Sequence, residues 1–374
     1  MSEMKKILIV NRKYTDNLGD RAIGAALVQL FVKKGCQVYH VEYSSFGKDI
    51  ASFGPDETSM TSGAGTKASK SPKLLRNFKR FLALNFPKAV WFYGSGRRVL
   101  RQIRAIPKDE IDLIVIGGGQ LIQSEEDNDK FAYAFRLWDW LNRHLFKTKM
   151  AVLGVGAKEG FSPYAAKAFK NGLSRADLIY VRDHHSQKVI EQLACGLDVK
   201  IMPDPAFSLS ADLPGQQAAE TEEKLALVGI YDYDTYCKIH SLQVARSGYY
   251  QEWQSKIEAL SAAGFSVRLF YSTGTDKLET QQFSEYLGGK YELAAVNSLD
   301  DLFALLNSAD YVYSGRMHAL ILALLSGCQV EAFITNTKLK VFAETYLEQS
   351  PDLEALRQEI EQAIDTVLAS LSGS

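Results

Sequence analysis

The sequence predicts an α/β protein made of two Rossmann-like halves, and three observations carry that reading. Short apolar runs of strand length alternate with helical patterns along most of the chain, as in parallel doubly wound sheets. The alternation lapses once, over the polar stretch Gly215 to Glu223, and then restarts. The chain has 374 residues, too many for one ordinary core and enough for two. The boundaries follow as 1–214 for the first domain, 224–345 for the second and 351–374 for a C-terminal helix, with an interdomain cleft.

In the first half, Ile7 to Val10 reads as a buried strand. The loop Asn17-Leu18-Gly19-Asp20 then opens a helix from about Asp20, whose carboxylate can cap it. Gly19 allows a tight turn or the close approach of a ligand. Gln37 to Glu42 is a second strand, and Phe46 to Lys70, rich in Gly, Ser and Thr, is a loop or insert. The strand Asp112 to Ile116 ends in Gly117-Gly118-Gly119, either a structural turn or a loop whose amides can meet an anion. This is not a GxGxxG, so a dinucleotide site is not indicated. A helix over Asp129 to Lys147 and strands at Met150 to Val155, Leu178 to Val181 and Val199 to Met202 complete the half.

Two strand ends there carry charge. Arg182-Asp183-His184-His185-Ser186 follows one strand, and Arg182 can either enter a cleft or pair with a carboxylate. Asp204, between Pro203 and Pro205, marks a rigid turn that can define a hinge, hold a sugar hydroxyl or orient a catalytic group.

The second half has strands at Leu225 to Ile230, Ser266 to Tyr271, Tyr311 to Tyr313 and Gln329 to Ile334. Helices fall at about Gln251 to Ala263, Leu299 to Ser308, His318 to Ser326 and Leu353 to Leu371. The densest chemistry is Ser314-Gly315-Arg316-Met317-His318-Ala319, at the C-terminal end of a strand, where open α/β sheets bind ligands. A guanidinium suits forked recognition of carboxylate or phosphate, and an imidazole can move a proton near neutral pH. The pair points to a small anion handled with acid–base chemistry. Lys338 follows the next strand after a short loop, where it can reach the same place or remain a surface lysine.

Composition is that of a globular chain, 46% hydrophobic and 23% charged. The four cysteines are scattered without a CxxC, which argues against a zinc or disulfide framework and for a reducing, cytoplasmic setting. No metal site is expected. No apolar run has transmembrane length. The net charge of −1 hides a basic segment: residues 58–108 hold 12 Lys or Arg and no Asp or Glu, leaving 31 basic against 44 acidic residues elsewhere. Aromatic and aliphatic residues interleave with the basic ones, so 67–108 is either an amphipathic surface for an anionic membrane or a helical insertion packed on the core. Nothing else in the chain supports nucleic-acid binding.

Taken in order, these pieces resemble the polysaccharide pyruvyl transferase family. The matching elements are Asn17-x-Gly19-Asp20, Gly117-Gly118-Gly119, Gly154-Val155-Gly156, Val181-Arg182-Asp183 with Ser186, and Asp204-Pro205-Ala206-Phe207. Ser298-Leu299-Asp300-Asp301-Leu302, the Ser314 to Ala319 motif and Lys338-Leu339-x-x-Phe342 follow in the second half. Gly327-Cys328-Gln329 departs from the Gly-x-Pro usual after the His helix, and the insert 44–108 has no matching motif.

The resemblance implies a GT-B-like arrangement of two Rossmann-like domains, acceptor on the first and donor on the second. It implies phosphoenolpyruvate as co-substrate, no tightly bound cofactor, and a sugar acceptor in a cell-surface glycan or its lipid-linked precursor, receiving pyruvate as a cyclic ketal. On that basis Arg182, His318 and Lys338 bind the donor and Arg316, in the same motif, assists; His318 is in addition read here as the catalytic acid–base group, while Asn17, Asp20, Gly118, Gly119 and Asp204 serve substrate or structure. A lipid-linked acceptor would place a cytoplasmic enzyme peripherally at the inner membrane face. The alternatives are a nucleotide-sugar glycosyltransferase of the same architecture and a non-catalytic anion-binding protein.

Overall fold

Runs such as Ile7-Leu8-Ile9-Val10 and Leu113-Ile114-Val115-Ile116 are buried on both faces, the condition of strands inside parallel sheets covered by helices. The computed structural model describes residues 4–44, 87–124, 129–209, 223–241, 244–348 and 351–371. The expected linker therefore lies, except for Glu223, outside the described residues, as do the loop Phe46 to Lys70 and the basic segment up to residue 86.

The chain divides into two compact units, the first comprising Met1–Thr15, Ile23–Pro205 and Arg357–Ser374, the second Asp16–Ala22 and Ala206–Leu356. In the first unit, β1 (Lys6–Asn11), β2 (Gln37–Glu42), β3 (Leu113–Gly117), β4 (Lys149–Val155), β5 (Leu178–Val181) and β6 (Val199–Ile201) form one parallel sheet. Its order is β2-β1-β3-β4-β5-β6, so the chain leaves β1 on one side and returns on the other. In the second unit, β7 (Leu225–Gly229), β8 (Ser266–Phe270), β9 (Glu292–Leu293), β10 (Tyr311–Ser314) and β11 (Gln329–Ala332) form a parallel sheet of order β11-β10-β7-β8-β9. Its reversal falls between β7 and β10, with Ser314 opposite Gly229. Ligands of such sheets collect where the strand order reverses, beyond the carboxyl ends of the strands.

The helices, in chain order, are α1 (Leu18–Lys33), α2 (Pro87–Trp91), α3 (Arg97–Gln102), α4 (Lys130–Leu141), α5 (Pro163–Leu173), α6 (His184–Leu193), α7 (Tyr233–His240), α8 (Arg246–Ala262), α9 (Gly274–Tyr286), α10 (Leu299–Asn307), α11 (Met317–Leu325), α12 (Thr337–Phe342) and α13 (Leu353–Ser370). A wide π turn, Phe92–Gly96, joins α2 to α3. Trp138 anchors the first core and donates its indole N–H to the Tyr43 carbonyl at 3.0 Å. Trp253 anchors the second, with Phe333 and Tyr313 at ring-centroid distances of 4.3 and 5.2 Å. Among the described residues no helix is long and apolar enough to cross a membrane.

Candidate functional site

In the first unit the chain leaves β5 at Arg182 and enters α6, which Asp183 caps by accepting the Ser186 amide at 2.6 Å. The cap turns Arg182 inward, where its side chain is only 3% exposed. Its Nη1 donates to Oδ2 of Asp204 at 3.2 Å, and Asp204 is itself buried. The guanidinium lies flat on Gly156: a Cβ there would stand 2.5 Å from Nη2. The Pro205 ring occupies the matching space at Gly154. The sequence Gly-Val-Gly at the end of β4 thus makes room for a buried ion pair and the proline beside it. Among the described residues Nε of Arg182 has no hydrogen-bond partner, although Asp183 Oδ2 is 3.6 Å away. A buried guanidinium with unused donor capacity is prepared for a further anionic oxygen.

Gly118 and Gly119 follow β3 with φ of 70° and 73°, the left-handed region that glycine tolerates. The Gly118 amide donates to the Leu153 carbonyl and the Gly119 carbonyl accepts from the Gly156 amide, both at 2.8 Å. Of the two readings of this loop, a structural turn accounts for Gly118, whose amide is engaged within the sheet.

In the second unit β10 runs through Gly315 to Arg316, which precedes α11 in extended conformation. Arg316 donates from Nε and Nη2 to the two carboxylate oxygens of Asp276 at 2.7 and 2.6 Å, a forked pair. Its guanidinium lies over the Tyr231 ring, 4.1 Å from the centroid. Asp276, 1% exposed, also accepts the Asp232 amide at 3.1 Å. Burial works against the Arg316 charge, but Asp276 outweighs it and holds the guanidinium above its ordinary pKa. Burial raises the Tyr231 phenol, and Arg316 pulls partly the other way. Tyr231 and Asp276 follow β7 and β8, so the segments leaving three adjacent strands, β10, β7 and β8, converge on Arg316.

Neither Tyr231 nor Asp276 was expected from the sequence. The usable signal was Thr273-x-x-Asp276 just after a strand, the pattern of a capping box. The Thr273 hydroxyl does accept the Asp276 amide, at 3.2 Å. The carboxylate itself, however, faces Arg316, a partner that no local pattern reveals.

His318 is the second residue of α11 and is half-buried. Its ring lies against Gly19, where a Cβ would be 2.5 Å from Nδ1. The Leu18 amide donates to the Ser272 carbonyl at 3.0 Å and holds that turn in place. Helix α1 begins at Leu18, two residues earlier than expected, and the cap is Asn17 rather than Asp20. Asn17 Oδ1 accepts the Gly19 amide at 3.0 Å, since a short amide side chain closes this turn readily, and its Nδ2 donates to Asp20 Oδ2 at 3.2 Å. Asp20 takes a place in the first helical turn instead.

Lys338, half-buried, is the second residue of α12, which Asn336 caps by accepting the Leu339 amide at 2.9 Å. Buried Leu339 and Phe342 fix that helix. The Thr335 hydroxyl donates to the Gly315 carbonyl at 3.4 Å, tying the loop before Lys338 to the turn before Arg316. Arg316, His318, Lys338, Asn17 and Asp20 thus belong to the second unit, and Arg182, Asp204, Gly118 and Gly119 to the first. Among the described residues no group of His, Cys, Asp and Glu could hold a metal ion.

The sequence model described as polysaccharide pyruvyl transferase matches residues 17–335. No curated protein matches the sequence. Among solved structures, a putative UDP-N-acetylglucosamine 2-epimerase from Listeria monocytogenes is similar, with a TM-score of 0.51 at 11% identity over 96% of this chain and 91% of that one. HepE from Anabaena, solved with UDP and glucose, has a TM-score of 0.50 at 12% identity over 98% of this chain and 100% of its own. At such identities the likeness concerns fold alone, and it agrees with the α/β class and two Rossmann-like units expected from the sequence.

Proposed function

The chain belongs to the polysaccharide pyruvyl transferase family, and from that premise we propose that it transfers pyruvate from phosphoenolpyruvate to a sugar of a cell-surface polysaccharide or its lipid-linked precursor. The observation that carries the reading is the turn from β10 into α11, where a forked Arg316 and a half-buried His318 stand at a strand-order reversal. Phosphoenolpyruvate presents a carboxylate and a phosphate on a three-carbon skeleton, and fixed cations suit it. Arg182, with its unused Nε, and Lys338 are the proposed donor-binding cations. Arg316, two of whose donors serve Asp276, supports the turn that carries His318.

In the proposed reaction His318 delivers a proton to the methylene carbon or relays one from a sugar hydroxyl. The carbon beside the carboxylate becomes cation-like, and one hydroxyl attacks it. The C–O bond to phosphate then breaks, and a second hydroxyl closes the ketal. One hydroxyl proton is accounted for at the new methyl group, the other on the departing phosphate.

The test is incubation with phosphoenolpyruvate and lipid-linked or free glycosides, with mass detection of the product. His318→Ala is expected to lower kcat by about 10²–10⁴-fold while phosphoenolpyruvate affinity is kept. Full activity of that variant would remove His318 from the mechanism. Glycosyl transfer from a nucleotide sugar, with no response to phosphoenolpyruvate, would replace the whole reading.

A further inference from the structure

We propose that the outer face of residues 88–104 is a docking surface for an anionic lipid bilayer. The segment is pinned to the first unit by one stripe of buried residues, Trp91, Gly96, Val99 and Ile103. The five-residue step from Trp91 to Gly96 matches the π turn, which is one residue wider than an α turn. Trp91 packs against Tyr133 of α4, with ring centroids 5.9 Å apart. The core-packing alternative raised by the sequence is thus true of one side of this segment.

The other side is what a buried insertion does not need. Val90, Phe92 and Tyr93 are 39%, 42% and 74% exposed, three large apolar side chains within four residues. Lys88, Arg97, Arg101 and Arg104 are exposed in the same segment, and no Asp or Glu lies anywhere in 58–108. The Arg97 guanidinium stands 4.9 Å from the Tyr93 ring centroid, so cation and aromatic face outward together. Isolated exposed apolar residues are ordinary, but these three fall within four residues of one another, in a segment whose charges are all basic and in a chain that is acidic elsewhere. Aromatic side chains seat at the headgroup level of a membrane, and Lys or Arg beside them attract anionic lipid. A nucleic acid would be drawn by the same charge, and the experiment below separates the two.

The inference is independent of the reaction proposed above, and its test uses no substrate. The full chain is sedimented with vesicles of phosphatidylcholine alone or mixed with phosphatidylglycerol, at rising salt. Binding is expected on the mixed vesicles only and weakens with salt. The exposed triple variant R97E/R101E/R104E is expected to lower the partition coefficient at least tenfold, since each basic residue near the surface is worth roughly fivefold. Phe92→Ser with Tyr93→Ser is expected to abolish the binding that persists at high salt. Thermal melting of each variant at the wild-type temperature shows that the fold is intact. Equal binding by wild type and triple variant, no wild-type binding to mixed vesicles, or preferential binding of single-stranded DNA would each overturn the proposal.

Discussion

The position of one missing methyl group, at Gly19, decides how His318 is held. Any side chain there would drive its Cβ into the imidazole, so the turn capped by Asn17 and the start of α11 fit together only with glycine. Gly19→Ala is therefore expected to displace the ring while leaving the fold in place. A displacement of about 1 Å can cost about 10²-fold in rate, so kcat should fall steeply while the thermal midpoint hardly moves. Steady-state kinetics beside a melting curve checks this; an unchanged kcat would mean the ring has room elsewhere. At the same scale, Arg316 and His318 were legible in the sequence because both follow one strand end. Asp276 was not, because its pairing with Arg316 spans 40 residues and is set by the order of strands in the sheet.

Strands β1 and β2 meet at a polar junction with its own pH response. The His40 ring nitrogen Nε2 lies 2.6 Å from Asn11 Oδ1, and the Lys13 ammonium donates to the His40 carbonyl at 3.1 Å. Burial, with the Lys13 charge adding to it, pushes the imidazole down to about 3. Folding thus holds His40 neutral where the unfolded chain, titrating near 6.5, takes up a proton. The stability associated with the neutral ring is intact above about pH 6.5 and is lost as the pH falls from there towards 3. Near pH 5 the loss from this residue is about 2 kcal/mol, at roughly 1.4 kcal/mol for each pH unit below 6.5. Urea unfolding at pH 7 and pH 5 should show it, with a shallower decline in His40→Gln; parallel declines would assign the effect to other groups. Most elements were readable at this scale, because strands buried on both faces appear as unbroken apolar runs. Strand β9, the two residues Glu292 and Leu293, is too short to carry such a run. Helix α8 starts at Arg246, five residues before its expected start, though Tyr249, Trp253, Ile257 and Leu260 already keep helical spacing. The lesson is that aromatic residues before a helix can be its first turn.

For the whole molecule, the consequential element is α13. It contributes Ile360, Ile364 and Val367 to the buried interior, and Glu361 and Asp365 pair with Lys33 and Lys34 at the end of α1. Burying three such side chains is worth roughly 5–9 kcal/mol, comparable to the entire stability of an ordinary domain. A chain truncated after Ser350 is therefore expected to lose the cooperative unfolding of its first unit, followed by calorimetry; two unchanged transitions would show that α13 is dispensable. Because the first unit is assembled from three stretches of sequence, its residues are not made consecutively. During synthesis the second unit's residues have all emerged before α13 is complete, so the first unit, although it holds β1, is the last to close. Until then, the hydrophobic surface that Ile360, Ile364 and Val367 cover in the folded unit has only water to meet.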